Sequence, residues 1–151
     1  LAVEEQAVVT AAACFQAAIY AQKSSTNEAD SAELASLELA ARGWPNEARR
    51  RVASMSEGTA HHLDPPDEAS AALFDADLAV RGASPERYEH YRSGVRVEYQ
   101  HVDDDGWRTG RASVLRSFLD RAAIYATPEG RARWEAPARR NLGDELAALT
   151  T

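Results

Sequence analysis

The 151-residue sequence has little of what builds cross-linked or membrane-spanning proteins. Its one cysteine, Cys14, excludes an internal disulfide and a thiolate metal cluster, and we expect it to be a small core residue. No stretch approaches the ~20 continuous apolar residues that a bilayer span needs. The N-terminus carries Glu4 and Glu5 where an export signal has basic residues. We therefore expect a cytoplasmic protein without membrane association.

Basic charge is also scarce. Lys and Arg total 17 against 24 Asp and Glu, which gives a net charge of -7, and no block of basic residues stands out. Such a chain is repelled by a phosphate backbone, so we expect no nucleic-acid partner. The apolar fraction of 44% and charged fraction of 27% are near globular averages, and the length fits a single domain over residues 1–151.

What the sequence has in abundance is alanine, the best helix former, with Gly and Pro falling mainly between periodic segments. These features predict an all-α fold of about six to seven helices and no strand. Start and stop signals place the helices at about 3–22, 27–42, 45–58, 67–81, 85–101, 103–119 and 127–149, with Asn27 as an N-cap and Gly43 as a terminator. Pro137 predicts a kink or break in the last of them.

Helical spacing also predicts which faces turn inward. The first helix has one apolar face, formed by Val8, Ala12, Phe15 and Ile19. The sixth has a similar face, formed by Trp107, Val114 and Phe118. The tyrosines of the fifth helix are expected in the core, and they are Tyr88, Tyr91 and Tyr99.

An acidic residue interrupts the apolar face of the fourth helix. At about 100° per residue, Asp77 falls between Leu73 and Leu78, whereas Asp75 falls on the opposite side. A buried carboxylate must be paired, hydrogen-bonded or metal-bound. Asp77 is therefore either an inward Asp held by an Arg or by backbone donors, or a metal ligand.

A second group of metal-binding residue types precedes that helix. His61, His62 and Asp64 lie on a loop one connection before Asp77. Imidazoles and carboxylates suit zinc, manganese or iron when three or four converge. Adjacent histidines on a loop are also typical of a cap or a solvated turn, so both interpretations stay open.

Several segments follow one another in the order of a known family. They are Phe15-Gln16-Ala17-Ala18-Ile19-Tyr20, Asn27-Glu28 with Ser31-Ala32, Thr59 with His61-His62, Asp75-Ala76-Asp77-Leu78, Arg96 with Glu98-Tyr99, Gly110-Arg111 with Val114-Leu115, Arg121 with Ile124-Tyr125, and Asn141-Leu142. In this order they resemble a small bacterial family of predicted metal-dependent phosphohydrolases of the HD superfamily. The resemblance covers nearly the whole chain.

The resemblance implies an HD-domain-like helical bundle in which a His, a His-Asp pair and a later Asp hold a divalent metal. The ion would orient a phosphoester and acidify a bound water. Asp77 matches the later Asp, but Gln16-Ala17 stands where the family has His-Asp. The family's first histidine would precede Leu1, so we expect that N-terminal segment to be absent.

With one ligand position matched out of four, we expect no bound metal or other cofactor and a degenerate, catalytically inactive protein. It would keep a polar pocket for a small anionic ligand, or act through a protein partner. The expected pocket residues are Gln16, Ala17, His61, His62, Asp77 and Arg96.

Two alternatives are retained. In the first, His61, His62, Asp64 and Asp77 form a rearranged site for Mn, Zn, Mg or Fe, and the protein is an active phosphohydrolase on nucleotides or related phosphoesters. In the second, the chain is an interaction domain without a ligand. Without upstream helices the first helix would expose its apolar face, and a second copy could cover that face in a homodimer.

Overall fold

The computed structural model describes residues 1–19, 26–60, 62 and 64–151. Over these residues the regular structure is helical and no strand occurs, which confirms the all-α fold class. The main helices are α1 (Val3–Phe15), α2 (Asn27–Ala41), α3 (Asn46–Gly58), α4 (Glu68–Leu78), α5 (Pro85–Glu98), α6 (Asp104–Leu119), α7 (Pro128–Gly130) and α8 (Ala136–Thr150). None of these helices has the length and apolar character needed to cross a membrane, within the residues described.

The chain divides into two compact units, Leu1–Asp77 and Leu78–Thr151, each with its own hydrophobic core. The single domain expected over residues 1–151 stays a prediction. In the first unit, α1, α2 and α3 pack on one another. The buried residues of its core are Val8, Ala12, Ala35, Leu39, Val52, Met55, Ala69, Leu73 and Phe74.

The apolar face of α1 is covered inside the first unit. Val8 and Ala12 are buried and Phe15 packs against the same core, as the spacing predicted. Because α2 and α3 contact α1, this face is not left open for a second copy of the chain. The homodimer was expected because this face would be exposed, so the structure gives that expectation no support. Cys14 is exposed, so its expected core position is wrong: it lies two residues beyond Ala12, about 200° around the helix.

Two helix ends in the first unit differ from the prediction. Helix α1 ends at Phe15 rather than near residue 22, because the chain turns over residues 16–19. There the buried hydroxyl of Ser31 accepts a hydrogen bond from Ile19 N at 3.0 Å and donates one to Ile19 O at 3.2 Å, which satisfies backbone groups outside a helix. Residues 20–22 lie outside the described residues.

The caps of α2 were predicted in part. Thr26, and not Asn27, is the N-cap, since Asn27 is already helical. Gly43 has a φ of 76°, a conformation that suits glycine, and it ends the α2 region as predicted.

In the second unit, α6 and α8 pack together beside a 3₁₀ turn, Ala79–Gly82. Its core consists of Leu78, Tyr88, Leu115, Phe118, Ile124, Tyr125, Ala138 and Leu142. The predicted inner face of α6 is wrong in part, because Val114 is exposed. The buried face follows Arg111, Leu115 and Phe118 instead, and a charged residue at its start hid it from the apolar pattern. Of the tyrosines of α5, Tyr88 is buried and Tyr99 is exposed.

The last helical segment is irregular where Pro137 predicted it. A π-helical turn, Arg131–Glu135, separates α7 from α8. Proline has no N–H to donate to the preceding turn, and a wide turn is one way to accommodate it. The carboxylate of Glu135 in this turn accepts backbone hydrogen bonds from Ile124 and Tyr125 at 3.0 to 3.2 Å.

We predict that Gly82→Ala lowers the free energy of unfolding by about 1–3 kcal/mol, the usual cost of overpacking. A Cβ at Gly82 would lie 2.6 Å from Trp134 Cβ and 2.8 Å from its carbonyl oxygen, and backbone cannot easily move away. The matched control is Gly94→Ala, since nothing lies within 4 Å of a Cβ there and Gly94 is inside α5. It should raise stability by about 0.5–1 kcal/mol. Urea denaturation measures both, and equal effects would contradict the packing at Gly82.

Candidate functional site

A hydrogen-bonded group of three polar side chains, which we call the Asp77 network, lies in the first unit. Gln16 Nε2 donates to Asp77 Oδ1 at 2.9 Å. His62 Nε2 lies 2.6 Å from Asp77 Oδ2, and because a carboxylate only accepts, this nitrogen carries the proton of the bond. The side chains of His62 and Asp77 are 13% and 33% exposed. Three of the residues expected in one pocket are thus in hydrogen-bond contact.

Three separate parts of the chain position this network. Gln16 follows the last residue of α1, and Asp77 lies near the end of α4. His62 has a φ of 50°, and its N–H donates to Gly58 O at 3.2 Å, so the end of α3 fixes the backbone. The imidazole meets Phe74 edge-on, with ring centroids 5.7 Å apart. A left-handed conformation is costly for histidine, so the contacts of its side chain compensate for it.

Helix α4 also corrects the assignment of its two acidic residues. Asp75, expected on the solvent side, is only 2% exposed and is more buried than Asp77. The angular position of a residue around the axis of α4 does not predict its exposure, because this helix is buried on several sides. Its buried residues include Ala69, Ser70, Leu73 and Phe74. In such a helix the apolar pattern does not separate an inner from an outer face.

Within the part of the chain that the structure describes, the Asp77 network does not supply the ligand set of a divalent metal. Ions of this kind need three or four side chains that direct lone pairs at one point. Here the Gln16 amide presents an N–H to Asp77, and both carboxylate oxygens accept from neutral or cationic donors. Ala17 is exposed and has no donor atom, and Asp64 is exposed with a φ of 45°. His61 lies outside the described residues.

The other His, Cys, Asp and Glu side chains of the described residues lead to the same conclusion. Among the residues that the structure describes, no group of three or more His, Cys, Asp or Glu side chains is placed to hold a metal ion. The rearranged set of His61, His62, Asp64 and Asp77 therefore has, among its described members, one hydrogen-bonded pair and one exposed carboxylate.

Arg96, the remaining predicted pocket residue, belongs to the second unit. Its guanidinium donates to Tyr99 O at 2.9 Å and to Asp104 Oδ1 at 2.8 Å. It also lies over the indole of Trp107, 5.2 Å from the ring centroid. Arg96 thus bridges the end of α5 and the start of α6.

Sequence reasoning missed a buried ionic group in the second unit, the Glu145 cluster, formed by Tyr88, Arg111 and Glu145. Arg111 Nε donates to Glu145 Oε1 at 2.7 Å and Arg111 Nη2 to Oε2 at 3.0 Å, a bidentate pair. The hydroxyl of Tyr88 donates to the same Oε2. The arginine and glutamate side chains are 7% and 5% exposed.

The charges of this cluster depend on one another. Burial alone would raise the pKa of Glu145, but the hydrogen bonds from Arg111 and Tyr88 and the charge of Arg111 outweigh it, so the pKa is lowered. Burial opposes the charge of Arg111 too, and its bonds to Glu145 raise its pKa above the ordinary value. Burial and the bond to Glu145 both raise the pKa of Tyr88. A signal was present in the sequence: Glu145 interrupts the apolar series Leu142, Leu146 and Leu149, as Asp77 does in α4.

Comparisons of this chain with protein-family models, with curated proteins and with solved structures find no match. The case for a function therefore depends on the geometry of the described residues.

We predict that Gln16→Ala lowers the free energy of unfolding by about 1 kcal/mol, the lower range for a hydrogen bond to a charged group, because Asp77 is one-third exposed. In an Asp77→Ala background the same change should cost almost nothing, since the acceptor of the bond is gone. The double-mutant cycle isolates this coupling. Gln6→Ala, at an exposed glutamine of α1, is the matched control. Additive effects of the two changes would refute the bond.

We also predict an acid-labile contribution from Glu145. Its folded pKa lies below its ordinary value near 4.5, so the stabilisation is complete above that value and is lost as the pH falls through the folded pKa. The apolar variant Tyr88→Phe/Arg111→Met/Glu145→Leu should therefore lose less stability than the wild type between pH 6 and pH 3. Denaturant unfolding at each pH gives the comparison.

The control for this experiment is Glu38→Gln, which removes one carboxylate of an exposed pair with Arg42. It should keep the acid dependence of the wild type, because exposed pairs contribute little. An apolar variant as acid-sensitive as the wild type would show that the pKa of Glu145 is not lowered by folding.

Proposed function

We propose that this chain is a degenerate HD-superfamily protein, without metal-dependent phosphohydrolase activity, that acts by binding a small anionic ligand or a protein partner. The observation that carries the loss of catalysis is the Asp77 carboxylate, which accepts from Gln16 at 2.9 Å and lies 2.6 Å from His62 Nε2. In these two bonds Gln16 and His62 face Asp77 with N–H groups, so neither directs a lone pair at an ion beside that carboxylate.

The chemistry of the replaced pair supports the same proposal. In the family that the sequence resembles, a His and an Asp would contribute an imidazole lone pair and a negative charge. Gln16 contributes an amide N–H toward Asp77, and Ala17 contributes a methyl group in an exposed turn. Loss of even an indirect partner of a metal site costs about 10- to 100-fold in affinity, so the loss of direct ligands costs more.

The alternative is an active divalent-metal-dependent phosphohydrolase with a rearranged ligand set. It requires His62 and Asp77 to exchange their mutual hydrogen bond for bonds to an ion, together with at least one further ligand. Among the described residues no third His, Cys, Asp or Glu accompanies them. The degenerate protein is therefore the better supported of the two.

We predict that the wild-type protein binds Mn²⁺ no more tightly than about 1 mM, and that Gln16→His/Ala17→Asp tightens binding at least ~10-fold by restoring two ligands beside Asp77. Isothermal titration calorimetry with Mn²⁺ measures both affinities. The chain offers a matched control in Gln6-Ala7, an exposed pair of the same two residues on α1. Gln6→His/Ala7→Asp adds the same groups away from Asp77 and should leave Mn²⁺ binding unchanged.

Hydrolysis of p-nitrophenyl phosphate in the presence of Mn²⁺ completes the test. We expect none from the wild type. One Mn²⁺ bound per chain, with a hydrolytic rate that Asp77→Asn abolishes, would refute this proposal and favour the alternative of an active phosphohydrolase.

A further inference from the structure

One face of α5 borders a cavity in the second unit. Glu89, Arg92, Ser93 and Arg96 follow one another at i, i+3, i+4 and i+7 and so share that face. The cavity has a volume of about 310 Å³, at the lower end of the range for small-molecule sites. Its other walls are Trp107 of α6 and three residues of α8, namely Glu145, Ala148 and Leu149.

The two arginines on this face have exchangeable partners. Arg92 Nε lies 2.5 Å from Glu89, whose side chain is 54% exposed. Arg96 lies 2.8 Å from Asp104, whose side chain is 84% exposed. Exposed ion pairs contribute little to stability, because water solvates both charges when the pair opens. Another anion can therefore take the place of either carboxylate.

Glu89 shows how such an anion would be held. One of its carboxylate oxygens pairs with Arg92, and Oε1 accepts a hydrogen bond from the hydroxyl of Ser93 at 3.2 Å. A guanidinium and a hydroxyl on two consecutive residues, one turn after Glu89, thus already bind an oxyanion. A carboxylate, phosphonate or phosphate has the same acceptor geometry.

The Glu145 cluster makes the inner wall rigid. Glu145 is held by Arg111 and Tyr88, so its charge is neutralised inside the protein and does not repel an anion as an unpaired carboxylate would. The apolar part of the lining consists of the planar indole of Trp107 together with Ala148 and Leu149. An aromatic ring fits against such a surface.

We propose that this cavity binds a small molecule in which an anionic group is attached to an aromatic ring. The anionic group displaces Glu89 from Arg92 and Ser93 and is also attracted to Arg96, and the ring packs against Trp107 and Leu149. This inference rests on the proposed function for its ligand class and assigns that ligand a site. The site is separate from the Asp77 network, which needs no anion because its own carboxylate is negative.

The test uses phenylphosphonate, which has the proposed chemistry and no phosphoester bond to hydrolyse. Two-dimensional ¹H–¹⁵N spectra resolve the indole N–H signals of the three tryptophans, which are Trp44, Trp107 and Trp134. We expect a saturable shift of the Trp107 signal with a Kd of ~0.1–1 mM, the affinity of a small ligand with few contacts. Arg92→Gln should weaken binding about 10-fold, through the loss of a charge-assisted hydrogen bond.

A second variant should act in the opposite direction. Glu89→Gln removes the carboxylate that competes for Arg92, so phenylphosphonate should bind about 3- to 10-fold more tightly. The matched controls are Glu47→Gln and Arg50→Gln, because Glu47 and Arg50 form an exposed i,i+3 pair of the same kind in α3. Both controls should leave the Kd unchanged. Opposite effects of Arg92→Gln and Glu89→Gln are difficult to obtain from non-specific adsorption or from partial unfolding.

Two simpler probes separate the parts of the ligand. Inorganic phosphate lacks the ring and should bind at least about 10-fold more weakly, and benzyl alcohol lacks the charge and should leave the Trp107 signal unshifted. The inference is overturned if phenylphosphonate leaves Trp107 unshifted, if Arg92→Gln keeps the wild-type Kd, or if Glu89→Gln fails to tighten binding. Mn²⁺ binding by the wild type would overturn the proposed function and would leave this site intact, so the two failures are distinguishable.

Discussion

A carboxylate on the inner side of a helix must be met by hydrogen-bond donors, and each unit of this protein contains such a carboxylate with donors in place. In the first unit the donors to Asp77 come from Gln16 and His62. In the second unit the donors to Glu145 come from Arg111 and Tyr88. An unpaired carboxylate in either place would cost several kcal/mol, so the positions of the helices that carry these donors are restricted.

The groups around Asp77 and Glu145 differ in how deeply they are buried, and therefore in what each contributes to the protein. The Arg111–Glu145 pair is almost fully buried and has a third donor in Tyr88, so its charges persist in the folded protein. Asp77 is one-third exposed, and its carboxylate is held by an amide and an imidazole. The first arrangement is suited to holding helices together. The second lies at the position where the resemblance implied a metal ligand.

Local signals in the sequence predicted much of the fold. Three helical segments begin within one residue of the predicted starts at 85, 103 and 127, and there Ser84, Asp103 and Thr127 each accept a backbone N–H. Pro137 predicted the irregularity that the π-helical turn resolves. Asp77 was identified because a charge on an apolar face needs a partner. Each of these predictions uses only residues that lie within a few positions of one another in the sequence.

What the sequence did not predict depends on contacts between distant residues. Helix α1 ends early because Ser31 binds the backbone of Ile19 twelve positions away. The Glu145 cluster joins residues 34 and 57 positions apart, so the apolar series that Glu145 interrupts could not indicate which residues are its partners. Asp75 was misplaced because α4 is enclosed on several sides. Apolar periodicity detects a polar face that meets solvent, so it fails for α4, where the exposed side includes Ala76, and for a core that a satisfied ion pair completes.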